Sequence, residues 1–523
     1  MEHQVLSFPV LLSFLIFLVL LKLSKKLYKH DSNPPPGPWR LPILGNILQL
    51  AGDLPHHRLA ELAKTYGPVM GIKLGQIPFL VVSSREAAKE VMKSLDPIFA
   101  ERATILVNEI VNYNRNGMVF GSYGDHWRQM RKFCTLELLS VKRVRSFQSV
   151  REEEMADFVK FLRSKEGSSV NLTHTIFSFT NSIIARNAVG HKSKNQETLL
   201  RCIDGIIITG GVNIADVFPS LKWLPSVKRE KSRIMKLHRE TDEILEDILQ
   251  EHKAKRHTAV SKNGNQRKAD NFLDVLLDLQ ESEDLDLPLT DVNIKAAIMD
   301  VFIGGSDTSS KTTEWAMAEL MRKPEIMKKA QEELRSVFGE KGYIEEAKLQ
   351  ELKWLKLIIK ETMRLHPVLS VLPRVCREKT KVSGYDVYPD TRVLVNVWAL
   401  GRDPTVWSEP EKFNPERFID SSIDYLGNHF EYLPFGAGKR VCPGIALGMV
   451  HMENFLANLL FHFDWNAYHI DLGEKRLKLV DNDVYPGYSQ SGQCIGQLGK
   501  RNPTVFVMRE PAEEISIRRD LFE

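Results

Sequence analysis

Ten residues, Phe435-Gly436-Ala437-Gly438-Lys439-Arg440-Val441-Cys442-Pro443-Gly444, constrain this chain more than any other stretch. Three glycines in that span admit backbone conformations closed to other residues. Arg440 sets a fixed cation two residues before Cys442. Pro443 follows, and proline favours the first position of a helix, which the apolar periodicity predicts from there onward to Leu460. Cys442 is therefore expected where backbone N–H groups and a positive helix end converge, a setting that lowers a thiol's pKa and favours thiolate. A lone cysteine more often packs as a small buried hydrophobe. A thiolate held in a glycine loop suits metal binding instead.

The pattern Phe-x-x-Gly-x-Arg-x-Cys-x-Gly, carried by Phe435, Gly438, Arg440, Cys442 and Gly444, resembles the haem-binding signature of the cytochrome P-450 family at every fixed position. The resemblance implies that Cys442 is the axial thiolate of a haem b iron, pushing electron density toward O–O cleavage. It implies a mainly α fold with a small β lobe, forming one large catalytic domain behind an N-terminal membrane helix. Length alone, 523 residues, suggests about three domains on a prior of roughly 150 residues each.

The net charge of +4 is too weak to argue for nucleic acid. Five cysteines, with no CxxC and an odd count, give no disulfide framework and fit a reducing compartment. Val5 to Leu21 is apolar, broken only by Ser7, Pro9 and Ser13, and is followed by Lys22, Lys25, Lys26 and Lys29. That run is at the short end of the roughly 17–25 residues a spanning helix needs. A cleaved signal peptide carries its charge before the apolar run, the reverse of this order. Residues 1–24 therefore read as an uncleaved anchor, and the lysines place the catalytic body in the cytosol. The resemblance implies the endoplasmic reticulum membrane. Residues 25–46, basic and then proline-rich at Pro34-Pro35-Pro36-Gly37-Pro38, read as a stiff hinge. Residues 47–465 are the expected catalytic domain.

Alternation predicts strands at Val69–Leu74 and Phe79–Ser83, joined through Gly75-Gln76-Ile77-Pro78, with Ser84 capping a helix to Met92. Residues 104–125 read as a loop. Trp127 and Arg131 share one helix face, where an arginine beside an indole N–H can hold a carboxylate. Their spacing resembles the family's W-x-x-x-R, whose residues hold a haem propionate. Phe218 to Leu224 is apolar and aromatic, and touches substrate, dips into a membrane surface or simply packs. Lys255 to Lys268 reads as a polar loop between two helices.

Thr290 is expected to cap a helix running to about Met321, and thirty residues span about 45 Å. At its middle, Gly304 and Gly305 weaken the helix, and a Thr or Ser hydroxyl there can bend it. The stretch Gly304-Gly305-Ser306-Asp307-Thr308-Ser309 resembles the family's A/G-G-x-D/E-T-T/S. The resemblance implies that Thr308 steers protons to the site of dioxygen activation and that Asp307 relays them from solvent. It places Met299, Phe302 and Ile303 toward substrate, with Phe120 from the preceding loop and Val368 and Leu372 from a later one. Trp354 to His366 is helical, and Glu361 and Arg364 resemble E-x-x-R, with Arg417 completing a buried charge triad of architectural role. Arg374 matches a position that contacts a propionate. Val382–Tyr388 and Thr391–Val397 read as short strands.

The resemblance runs as far as Phe463-Asp464-Trp465. Residues 466–523 depart from it: they are polar and glycine-dotted, and read as an atypical, poorly packed tail of the kind that altered transcript processing produces, with Val505-Phe506-Val507 a strand remnant.

The implied activity is haem-thiolate monooxygenation of an apolar small molecule, by hydroxylation, epoxidation or oxidative coupling. The resemblance implies electrons from NADPH through a membrane-bound reductase, and the chain, carrying no dinucleotide fingerprint, is not expected to bind NADPH itself. Anchor, hinge and motifs look like a plant microsomal member, and the overall wording is similar to members that oxidise terpenoids and monoterpene indole alkaloids. Two rivals remain: a haem-thiolate isomerase or dehydratase that needs no reductase, and a haem or ligand binder disabled by its tail.

Overall fold

The computed structural model describes residues 33–466 apart from short stretches at 52, 167–168, 193–194, 210–212, 264–270 and 283–284, together with residue 13 and residues 505–509. The expected anchor at 1–24 and most of the tail lie outside the described residues. No helix among the described residues is long and apolar enough to cross a membrane.

The elements that build the site are α1 (Pro55–Tyr66), β1 (Val69–Leu74), β2 (Ile77–Val82), α2 (Asp125–Phe133), α3 (Gln148–Arg163), β3 (Ser169–Asn171), α4 (Leu172–Val189), α5 (Pro225–Asn263), α6 (Asp291–Arg322), α7 (Lys353–Leu365), β4 (Val371–Val375), β5 (Thr380–Val382), β6 (Tyr385–Val387), β7 (Arg392–Asn396), α8 (Ile445–His462), β8 (Asp464–Asn466) and β9 (Val505–Arg509). Helices dominate, and the strands form a small lobe as expected. Its main sheet has the order β1-β2-β7-β4, with β2 and β7 parallel and the other pairs antiparallel. The β1–β2 turn is tighter than the sequence implied. Ile77 and Pro78 already pair with Leu74 and Lys73, which leaves Gly75 and Gln76 to turn, Gly75 with φ +57°. Pro78 is tolerated because pairing with β7 begins only at Phe79.

The helix α6 forms as the capping signal predicts. Thr290 accepts from the Asn293 N–H, and the Asn293 side chain accepts from the Thr290 N–H at 2.9 Å, a reciprocal cap that satisfies two orphan donors. The helix stays continuous through Gly304-Gly305. There a Cβ on Gly305 would stand 2.6 Å from Ile184 Cδ1, so the glycine lets α4 approach α6 closely. α6 also packs on α7 and α8. Beyond it, one core gathers Phe158, Leu355, Ile358, Phe455 and Leu459, and another Ile184, Ile203, Ile294 and Phe302.

Several expectations give way to tertiary structure. The polar stretch from Lys255 stays helical to Asn263, because α5 is already nucleated and each further residue adds a hydrogen bond. Val382–Tyr388 is a hairpin, β5 and β6, turned by Ser383 and Gly384 at positive φ. Residues Leu106–Val111 of the expected loop are helical. Phe218 and Leu221 pack against the β1–β2 region, whereas Trp223 stays 64% exposed. The described part of the proline-rich stretch is docked: the Gly71 N–H donates to the Pro36 carbonyl at 2.7 Å, and Asn33 and Asp386 bond reciprocally at 2.7 Å. Within the tail, Val505–Arg509 is the central strand of a sheet ordered β3-β9-β8, longer than the three-residue remnant expected.

The triad is present and buried. Arg364 grips Glu361 through two bonds, Nε to Oε2 at 2.7 Å and Nη2 to Oε1 at 2.8 Å, and Arg417 Nε reaches Oε1 at 3.0 Å. The remaining donors of Arg364 go to the carbonyls of Gly401, Pro410 and Lys412. This ties α7 to the irregular segment that leads toward the Cys442 loop. Glu361→Ala leaves two guanidinium groups without their carboxylate, and is expected to cost about 3–5 kcal/mol in urea unfolding followed by far-UV dichroism.

Candidate functional site

The Cys442 loop is closed by a bond from the Cys442 N–H to the Phe435 carbonyl at 2.9 Å. Gly436 and Gly438 take φ +71° and +68°, as their glycine identity allows. A Cβ on Gly438 would collide with the Met92 carbonyl and the Asp96 carboxylate, which accepts from the Lys439 N–H at 2.6 Å. Gly438 thus serves close packing and does not line the cavity. Helix α8 starts at Ile445 with Gly444 as its cap, so Pro443 precedes the helix instead of opening it.

Cys442 lines a cavity with about 1430 Å³ of empty space, counting its mouth. Its wall is mostly apolar with a few convergent polar groups, the composition of a small-molecule site. No other cysteine among the described residues reaches it. The expected lowering of the thiol pKa is not what the surroundings produce. Burial pushes the Cys442 thiol up, against a bond from Gly444 and the charge of Arg131. The helix end and loop N–H groups are outweighed by desolvation, and a metal cation would supply the missing stabilisation of the thiolate.

Four arginines crowd the same cavity: Arg102, Arg131, Arg374 and Arg440. Arg440 is spent on backbone carbonyls, those of Ala100 at 2.7 Å, Met118 at 3.2 Å and Gly121 at 2.6 Å, and lies 4.1 Å over the Trp127 ring. The Trp127 indole donates to the Met118 carbonyl at 2.8 Å, and Arg131 to the Val441 carbonyl at 2.6 Å. The indole N–H is therefore committed to the loop, which corrects the expectation that it holds an anion directly. Arg374 and Arg102 differ, because each has a buried Nε with no partner among the described residues. Burial lowers the Arg102 guanidinium to about 10, against Glu101, and burial with repulsion from neighbouring arginines lowers Arg440 to about 9 and Arg374 well below the ordinary arginine range. Such a cluster fits an anionic group such as the paired carboxylates of a haem. Arg102 was not singled out from the sequence. Its signal is tertiary, since the bridge between Ala100 and Val375 brings it beside Arg374.

The α6 face toward the cavity carries Asp300, Val301, Gly304, Gly305, Thr308, Ser309 and Thr312. Thr308 Oγ1 donates to the Gly304 carbonyl at 2.8 Å, and no atom lies within 4 Å of a Cβ built on Gly304. At 100° per residue Val301, Gly304 and Thr308 share a face, while Met299 and Ile303 fall on the far side and Phe302 between. Accordingly Met299 and Phe302 are core residues, Ile303 packs against that core, and none of the three lines the cavity. Phe120 does not line it either, and its carbonyl accepts from Arg115 Nε at 3.2 Å. Val368 and Leu372 do line it, with Val119, Val301 and Leu369 as further apolar surface.

Asp307 points away from the cavity and pairs with Lys311. One turn on, Glu314 is buried and accepts from the Thr173 hydroxyl. Burial pushes its carboxyl from 4.5 up to about 7, against Thr173 and Lys311. A raised carboxyl binds its proton more tightly when folded, so it destabilises increasingly as pH rises from 4.5 through 7. Glu314→Gln is expected to match the parent below pH 4.5 and to exceed it by about 3 kcal/mol above pH 7, measured by thermal and urea unfolding across that range.

The family model for Cytochrome P450 matches residues 34–480. The chain is 58% identical to Cytochrome P450 726A27 of Euphorbia lathyris over 89% of its length and 92% of the relative's. It is 48% identical to premnaspirodiene oxygenase of Hyoscyamus muticus, over 88% and 92% of the two chains. It is 46% identical to tabersonine 16-hydroxylase 1 of Catharanthus roseus, over 91% and 96%. Among solved structures it resembles a zebra fish cytochrome P450 with abiraterone, with a TM-score of 0.70 at 24% identity over 88% of this chain and 99% of that one. The Cys442 loop, its cavity and matches of this extent lead to one conclusion: the chain belongs to the cytochrome P450 family and is a haem-thiolate monooxygenase.

Proposed function

We propose that this monooxygenase oxidises an apolar plant specialised metabolite, of the terpenoid or indole alkaloid class, with Cys442 as the haem ligand. The carrying observation is that the Cys442 thiol, the Thr308 hydroxyl and the unpartnered Arg374 and Arg102 nitrogens all converge on one cavity. Haem bound through a thiolate supplies reductive activation of dioxygen, so that one oxygen atom enters substrate and the other leaves as water. The chain's residues do the rest. Arg374 and Arg102 would hold the propionates of the haem, with Arg131, while Trp127 and Arg440 hold the loop along the cavity wall. Phe435 and Gly444 flank Cys442.

Thr308 presents its hydroxyl to the cavity and holds a proton there, its own O–H resting on the Gly304 carbonyl. Asp307, paired with Lys311, lies one residue before Thr308 on α6, and we assign it the relay of protons toward that hydroxyl. Val119, Val301, Val368, Leu369 and Leu372 exclude water and suit an apolar substrate. The relatives named premnaspirodiene oxygenase and tabersonine 16-hydroxylase 1 support the substrate class. The lysine-flanked apolar run supports residues 1–24 as an endoplasmic reticulum anchor, with residues 25–46 as hinge, 47–465 as catalytic domain and 466–523 as tail. Electrons come from NADPH through a membrane reductase.

The reduced protein with carbon monoxide is expected to give a thiolate-type Soret band that Cys442→Ser loses. With reductase and NADPH the parent should oxidise a terpenoid or indole alkaloid, and Thr308→Ala should cut product formation by about 10²-fold. Turnover that persists without NADPH would instead mark an isomerase. Arg374→Met and Arg102→Met each remove a charge-assisted contact, and should raise the rate of haem transfer to an acceptor apoprotein by roughly 10–100-fold.

A further inference from the structure

The segment from Asn112 to Val119 meets the cavity at Met118 and Val119 and is held in a conformation it would not adopt alone. Tyr113, Asn114 and Arg115 take φ of 49°, 55° and 68°, three consecutive non-glycine residues in the left-handed region. Such backbone persists only where its surroundings over-determine it. The left-handed residues are held by other elements, Tyr113 donating to Asp242 at 2.7 Å and Arg115 pairing with Glu101 at 2.6 Å, while α6 holds the segment at its two ends. The Asp300 carboxylate accepts from the Asn112 side chain at 2.7 Å, the Met118 N–H at 2.6 Å and the Val119 N–H at 3.1 Å. Asn112 accepts in turn from the Gly117 N–H at 2.9 Å. A Cβ on Gly117 would strike both side chains, so the loop is wrapped tightly around this pair.

What the clamp holds is the Met118 carbonyl, and that carbonyl receives both the Trp127 indole and an Arg440 nitrogen. Met118 and Val119 also line the cavity. Asp300 is buried and forms no ion pair among the described residues, and its charge faces Arg440 of the Cys442 loop. Burial drives its carboxyl up to about 6, a cost that an apolar residue would avoid. We propose that Asp300 is a positioning residue: it clamps the 112–119 loop to α6 and thereby fixes the Met118 carbonyl that orients Trp127 and Arg440 along the cavity wall.

The consequence for the cofactor rests on the haem reading above, whereas the clamp itself does not. Asp300→Asn keeps one acceptor oxygen for the Met118 and Val119 N–H groups but sets its new amide nitrogen against the Asn112 amide. Combining it with Asn112→Asp restores every donor–acceptor match with the two groups exchanged. The test compares the full chain, Asp300→Asn and the exchanged pair, by amide hydrogen exchange over residues 116–121 and by the haem-to-protein ratio and thiolate-type Soret band.

The single variant should exchange at least tenfold faster across 116–121 and retain less haem, and the exchanged pair should recover both. Parental exchange in Asp300→Asn, or no recovery in the exchanged pair, overturns the proposal. If Asp300→Asn does not fold, the exchanged pair decides alone: parental protection supports the clamp, and its loss overturns it. Absence of the Soret band from the parent chain would sink the haem reading instead, leaving the exchange comparison to judge the clamp.

Discussion

Glu361 has no contact with solvent, yet the arrangement of half the molecule depends on it. A buried carboxylate is tolerable only when its lone pairs are filled, and here Arg364, Arg417 and the Asn414 N–H fill them. Arg364 then spends its remaining donors on carbonyls of the irregular segment near residues 401–412. That segment has almost no regular hydrogen-bonded structure of its own, so this set of charges gives it a fixed path. The Cys442 loop follows it in the chain. The position of the thiol is thus inherited from an ion cluster that does no chemistry.

Around the cavity the charge balance is reversed. The arginines outnumber the carboxylates near them, two buried guanidinium nitrogens find no partner among the described residues, and burial pushes the thiol's pKa up. Each of these is unfavourable in the bare protein. Each is relieved by one group that carries two carboxylates and a metal cation. The protein stores a mismatch that the cofactor resolves, so haem binding and stability are coupled.

The loop over the cavity shows the same economy at smaller scale. Arg440 is the fixed cation of the Cys442 motif, but its guanidinium is used on the carbonyls of Ala100, Met118 and Gly121. A motif residue that reads from sequence as an anion holder is in the fold a fastener between the thiol loop and the cavity wall. The carboxylate with the most local influence, Asp300, lies on α6 and belongs to none of the motifs.

The sequence by itself determined the family, because its motifs rest on residue types at fixed local spacing. It also placed α6, whose cap at Thr290 and Asn293 is a local signal, and the Glu361–Arg364 pair, three apart on one helix. It misplaced Met299, Phe302 and Ile303, since the phase of a mostly apolar helix is set by which neighbours surround it. It could not find Arg102 or Asp300. Arg102 meets Arg374 only after strand β4 is laid against the Ala100–Glu101 segment, and Asp300 meets Met118 only after a left-handed loop is folded back on α6. Only the tertiary structure decided those contacts, because each joins residues more than 180 positions apart whose pairing no local spacing encodes.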